Sequence, residues 1–101
     1  MEILKKVNGD EVVIEVIGKI DSDTASAFET QVEEMLITGE VKKLEINMAQ
    51  VTYLSSAGLR VLLSTQKKLK SLNGDLVITN ANQTLKEVFE ITGFMGILTI
   101  L

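Results

Sequence analysis

Two adjacent serines, Ser55 and Ser56, stand immediately before an apolar helical stripe, and hydroxyls in that position can do two kinds of chemistry. A serine can attack a substrate as a nucleophile, or it can accept a phosphate. Nucleophilic attack needs an activating base. The chain has no histidine and no cysteine, the surroundings of Ser56 lack the Gly-x-Ser-x-Gly elbow, and Lys19 is the one lysine expected near these serines. No catalytic residue is therefore expected, and the chain does not read as an enzyme. Phosphate acceptance asks for less. A helix start presents unpaired N–H groups and a partial positive charge, which favour an exposed phosphate by roughly 0.3–1 kcal/mol. One serine is expected to cap the helix and its neighbour to sit in the first turn. Ala57 and Gly58 keep that turn slim, so that a partner surface could approach the hydroxyls closely. The plain alternative is that both serines are ordinary caps, since serine is among the commonest cap residues.

The elements that would position this pair follow from the apolar pattern. Ile3 to Val7 and Glu11 to Ile17 are β-branched runs separated by Asn8-Gly9-Asp10, a strong hairpin signal. The second run is apolar on both faces except at Glu15, which suggests an interior strand. Asp21-Ser22-Asp23 supplies cap oxygens for a helix carrying Ala25, Phe28, Val32, Met35 and Leu36, closed by Thr38-Gly39. Leu44, Ile46 and Met48 alternate with polar residues as a third strand, and Ala49 to Leu54 reads as a loop. The helix after the serines carries Leu59, Leu62, Leu63, Leu69 and Leu72, with Lys67, Lys68 and Lys70 on its wet side. Asn73-Gly74 stops it, Asp75 to Thr79 is a fourth strand, and Asn80 or Asn82 caps a third helix with Leu85, Val88 and Phe89. Gly96 to Leu101 reads as a last strand, and Met35, Met48 and Met95 as core filler.

The resulting order, β-β-α-β-α-β-α-β, makes the fold class α/β: a single domain over residues 1–101, with a mixed, mostly parallel sheet of about five strands, an N-terminal β-hairpin and three main helices. The pattern leaves open whether the helices cover one face of the sheet or two. Loops at the carboxyl ends of parallel strands form the usual meeting place for ligands and partners. Here they gather Asp21, Ser22, Asp23, Ser55, Ser56 and Asn80 on one edge. Asp21, Asp23, Asn80 and Asn82 also read simply as caps.

Composition narrows the function further. A net charge of −4 argues against non-specific nucleic-acid binding, and the lysine cluster at 67–70 reads as a solvated helix face. No phosphate-binding glycine motif is present, so no cofactor is expected, and without cysteine or histidine no metal is expected either. No run approaches the ~20 apolar residues of a spanning helix, no targeting segment is visible, and a cytoplasmic location is the default expectation.

Two stretches carry a resemblance. Gly18-Lys19-Ile20-Asp21-Ser22-Asp23-Thr24-Ala25 and Val51-Thr52-Tyr53-Leu54-Ser55-Ser56-Ala57-Gly58-Leu59-Arg60-Val61-Leu62-Leu63 are similar to the STAS domain of bacterial anti-sigma-factor antagonists, as is the tail from Asn80 to Phe94. The resemblance implies a partner-switching role. The unphosphorylated protein would bind an anti-sigma factor with serine-kinase activity and so free a sigma factor. Phosphorylation by that kinase would release it, and a PP2C-type phosphatase would restore it. The family's acceptor is the serine after an aspartate in Asp-Ser-Ser/Ala-Gly-Leu. On this chain the acceptor falls on Ser56, and Ser55 stands in the aspartate's place. Loss of that charge eases a phosphate on Ser56, or else slows phosphorylation or moves it to Ser55. Asp21 matches the family's acidic position near the acceptor. The expected partner surface comprises Asp21, Ser22, Asp23, Thr24, Ser55, Ser56, Ala57, Gly58, Arg60 and Asn80. The alternative roles are a non-phosphorylated STAS scaffold and a regulatory subunit of a transport system.

Overall fold

Why the chain forms one sheet is visible in its strand register. The structure is a computed structural model and describes residues 1–101. Strands β1 (Glu2–Asn8) and β2 (Glu11–Ile20) form the antiparallel hairpin, with Asn8 opposite Glu11. The two loop residues are Gly9 and Asp10, and only Gly9 takes a positive φ, of 63°. Asn8, expected to share the turn, belongs to the strand, so this is the glycine-first form of the two-residue loop. Helix α1 (Ala25–Leu36) leads to β3 (Lys43–Leu54), α2 (Ser56–Ser71) to β4 (Asp75–Thr79), and α3 (Gln83–Ile91) with a short 3-10 turn, Phe94–Gly96, to β5 (Thr99–Ile100). The expected last strand over 96–101 thus pairs at only two residues.

The strands lie in the sheet in chain order, and β2 to β5 are mutually parallel. Parallel strands taken in sequence, each joined by a right-handed crossover, must carry every crossover helix on the same face. That settles the question left open by the pattern: all three helices cover one face, and the other face carries none. Burial follows. Val12, Leu44 and Leu76 line up across three strands, as do Ile14, Ile46 and Ile78, and all six are buried. From the helices, Phe28, Val32 and Leu36 of α1, Leu59, Leu62 and Leu69 of α2, and Leu85 and Phe89 of α3 close the same core. Met48 is fully buried as expected, but Met35 only partly, and Met95 is 44% exposed and fills no core. On α2, Leu63 is only partly buried and Val61 is buried instead, while Leu72, the residue that caps the end of the helix, packs at the core's margin.

The largest departure from the sequence reading is at β3. Ala49 to Leu54, expected as a loop, continues the strand and pairs with β2 as far as Leu54 opposite Ile20. Two register shifts, between Glu15 and Ile17 and between Gly18 and Lys19, each place one extra residue on β3. These are β-bulges. They change the spacing of buried positions from two (Leu44, Ile46, Met48) to three (Val51, Leu54), which hides the strand from a test for alternation. The loops at the strand ends are correspondingly short, and the junction between β3 and α2 is Ser55 alone.

Candidate functional site

Ser55 is the hinge between strand and helix, and its polar groups are used internally. Its N–H donates to the Ile20 carbonyl at the end of β2, at 2.8 Å. Its Oγ accepts from Gly58 N at 3.1 Å, the N-cap bond of α2, and its carbonyl accepts from Leu59 N at 2.9 Å. Only 8% of the residue is exposed. Ser56 is the opposite case. It is the first residue of α2 and exposed, and its hydroxyl engages no other protein group. No acidic residue occupies the first turn. Arg60 lies one helical turn on, exposed, at the i+4 spacing that brings two side chains to the same helix face.

Gly58 faces inward. A Cβ there would stand 2.7 Å from Leu54 Cδ1 and 2.8 Å from Ile20 Cγ2, so glycine lets the first turn of α2 rest on the ends of β2 and β3 without displacing them. The small residue that was expected to let a partner approach instead lets the helix approach the sheet, and Gly58 is itself buried.

The neighbouring loop follows β2 directly. Asp21 N donates to Thr24 Oγ1 at 2.9 Å, while Thr24 N donates back to Asp21 Oδ1 at 3.0 Å. This is the reciprocal pattern of a capping box, with aspartate and threonine in the two roles. Asp23 N also donates to Asp21 Oδ1 at 3.0 Å, and the Thr24 hydroxyl donates to Lys19 O at 2.9 Å. The helix proper starts later than expected, at Ala25, and Thr24 makes no side-chain cap bond to it. These contacts hold the Asp21 carboxyl below the usual carboxylate range. The Thr24 N–H is the main cause; burial pulls the other way, while the Thr24 hydroxyl, the Asp23 N–H and the charge of Lys19 add to the lowering. Asp21 and Thr24 therefore build the loop, and Ser22 and Asp23 are exposed on it.

A shallow groove joins the two segments. Ser22, Ala25, Ser26 and Glu29 form one wall, and Ala57, Arg60 and Val61 the other. Ser26, Glu29 and Val61 were not expected there. Their signal is spacing: Ser26 and Glu29 lie three apart on one face of α1, with Ser22 on the loop just ahead of it, and Ala57, Arg60 and Val61 fall at three and four residues along one face of α2. Asn80 does not join this group. It takes a left-handed φ of 58°, and its Nδ2 donates to Asn47 Oδ1 at 3.2 Å, within a polar row on the sheet. Asn82 is the true cap of α3, accepting from Leu85 N at 2.9 Å.

Comparison with known proteins gives a consistent picture. The family model of the STAS domain matches residues 2–100. An anti-sigma-B factor antagonist of Listeria monocytogenes is 34% identical over 100 residues, covering 96% of this chain and 84% of that protein. A crystal structure of an anti-sigma factor antagonist from Mycobacterium paratuberculosis superposes with a TM-score of 0.87 at 24% identity, over 98% of this chain and 83% of that one. The Bacillus cell-fate determinant SpoIIAA in its phosphorylated form gives 0.78 at 19%, over 99% and 91%. At these identities the two structures speak to the fold.

Three outcomes follow from the geometry. Ser55→Ala is expected to lower stability by about 1 kcal/mol, through loss of the cap, whereas Ser55→Asp, another strong cap residue, should stay close to wild type in urea denaturation. Gly58→Ala sets an overpacking cost of about 1–3 kcal/mol against a helix-propensity gain of up to about 1, so a net loss is expected, and Gly58→Val should lose more. Because the Asp21 carboxyl is lowered on folding, its contribution is complete above the ordinary carboxylate pKa and fades as pH falls through the lowered value. Asp21→Asn should thus be less stable than wild type at neutral pH, with the gap closing below about pH 4 in denaturation series.

Proposed function

The chain belongs to the STAS domain family, and from that premise we propose that it works as an anti-sigma factor antagonist whose binding is switched by a phosphate on Ser56. In this reading the unphosphorylated chain binds an anti-sigma factor that is also a serine kinase, phosphorylation releases it, and a PP2C-type phosphatase resets it. Relatives at 34% and 30% identity carry the name anti-sigma-B factor antagonist. The fold is shared with SpoIIAA, an anti-sigma factor antagonist with structures in unphosphorylated and phosphorylated forms.

The observation that carries the choice of Ser56 is the division of labour within the serine pair. Ser55 is buried and its oxygen is committed to Gly58 N, while Ser56 is exposed with a free hydroxyl. Serine in place of the family's aspartate is a smaller change than it looks. Both residues are strong N-caps, so the exchange keeps the start of α2 and removes one negative charge beside the acceptor.

The switch then rests on local charge. A phosphoserine brings about −1.5 to −2 charges at neutral pH. The N-terminal N–H groups of α2 and the guanidinium of Arg60 favour it on the chain itself. Across an interface that was closed against a neutral hydroxyl, the same charge must be desolvated, and Asp23 on the adjoining loop adds to the negative field. No helix crosses a membrane in this reading, and none is long and apolar enough to do so.

The test is recovery of the chain from its own cells as wild type, Ser56→Ala and Ser56→Asp, with fragmentation of the tryptic peptide Leu44–Arg60. The expected result is one phosphate on Ser56 in the wild type and none in Ser56→Ala. An anti-sigma factor should co-purify with Ser56→Ala and bind Ser56→Asp at least about tenfold more weakly. Absence of phosphate together with equal capture by all three forms would favour a scaffold or transport-associated role instead.

A further inference from the structure

We propose that the chain self-associates through the free edge of β1, forming a two-fold dimer whose two sheets join into one of ten strands. β1 closes one side of the sheet and pairs only with β2. It is seven residues long, contains neither proline nor glycine, and all of it except Ile3 is exposed, including Leu4 at 50% and Val7 at 58%. Such an edge is a template for another strand unless its side chains forbid it. The opposite edge, β5, has two residues and offers no comparable template. Association through β1 alone uses the same patch on both copies, so it closes at two and does not propagate.

The sequence of β1 selects the register. A two-fold axis normal to the sheet pairs residues on the same face, so the axis must pass through a residue. Through Lys5 or Lys6 it would stack a lysine on its own copy, a like-charge pair that opposes association, and through Ile3 or Val7 it would shorten the overlap and set Glu2 opposite Leu4, or Lys6 opposite Asn8, with no ion pair. Through Leu4 it places Leu4 against Leu4 and sets Glu2 of each copy opposite Lys6 of the other, giving two ion pairs around an apolar centre. In this register Lys6, which would repel another basic strand, becomes the recognition element, while Lys5 falls opposite Ile3 on the other face. Glu2, Leu4 and Lys6 pair with Ile17, Glu15 and Val13 of β2 within one copy, which places all three on the helix-free face. That face becomes continuous across the dimer. Because the strands run in opposite directions, the two loop edges bearing Ser56 lie at opposite ends of the joined sheet, each open to its own partner. Two seven-residue strands make a small contact, in the class of weak, transient interfaces.

Sedimentation velocity on the full chain from about 10 µM to about 1 mM tests the proposal. A reversible monomer–dimer equilibrium is expected. Glu2→Lys and Lys6→Glu should each weaken it about tenfold or more, because each turns both ion pairs into repulsions. An equimolar mixture of the two variants should restore association. In the mixed dimer the lysine introduced at position 2 of one copy meets the glutamate introduced at position 6 of the other, and the unchanged Lys6 and Glu2 meet as before. Both side chains lie outside the core, and circular dichroism would confirm that the variants fold. A monomer throughout the range, a dimer indifferent to the single substitutions, or a mixture that fails to recover would each overturn the proposal. None of these results depends on whether Ser56 is phosphorylated.

Discussion

The hydrogen bond from Ser55 N to the Ile20 carbonyl, at 2.8 Å, is the contact on which the rest of the site depends. It ties the last residue before α2 to the last residue of β2 and so helps to fix where the helix starts. Gly58 completes the clamp by letting the first turn settle against Ile20 and Leu54. With both in place, one serine is drawn into the interior and the next is left on the surface. The loop from Asp21 to Thr24 leaves the same carbonyl-bearing residue, so the proposed acceptor and the acidic loop share one anchor.

A second constraint is topological. Strands taken in chain order with uniform crossovers put every helix on one face, and three helices then cover a core built from two cross-strand rows. The other face must satisfy itself with its own side chains. It does so with polar pairs across strands: Gln50 to Glu15, Thr79 to Glu45, and Asn80 to Asn47. Asn80 is turned to this duty by its left-handed backbone. A residue at the correct end of a strand is therefore on the wrong side of the sheet for the site.

Much of this is legible from residue types, and the misses have physical causes. The hairpin, the three helices, β4 and the start of α2 each carry a local signal in a cap, a glycine or a helical stripe. The second half of β3 carries none, because two bulges replace alternation by a spacing of three, and a strand then looks like a loop. Gly58 is visibly small for a reason, but sequence does not tell which neighbour needs the space. Asp21 reads as a cap, yet its reciprocal bonds with Thr24 involve a threonine in a role usually filled by glutamate or glutamine. The division of Ser55 and Ser56 into cap and first-turn residue follows from the helix start alone. Which of them is solvent-accessible requires the fold, because both are small polar residues at adjacent positions.

The absence of histidine and cysteine has a consequence for signalling. No side chain of this domain has an ordinary pKa between about 5 and 8, and none can be oxidised to a disulfide. The two side chains that most often answer to acidity or redox poise in the physiological range are thus both missing from it. Under the function proposed above, the change in its field near neutral pH comes with the phosphate on Ser56, so the domain keeps a record of an encounter until an enzyme removes it.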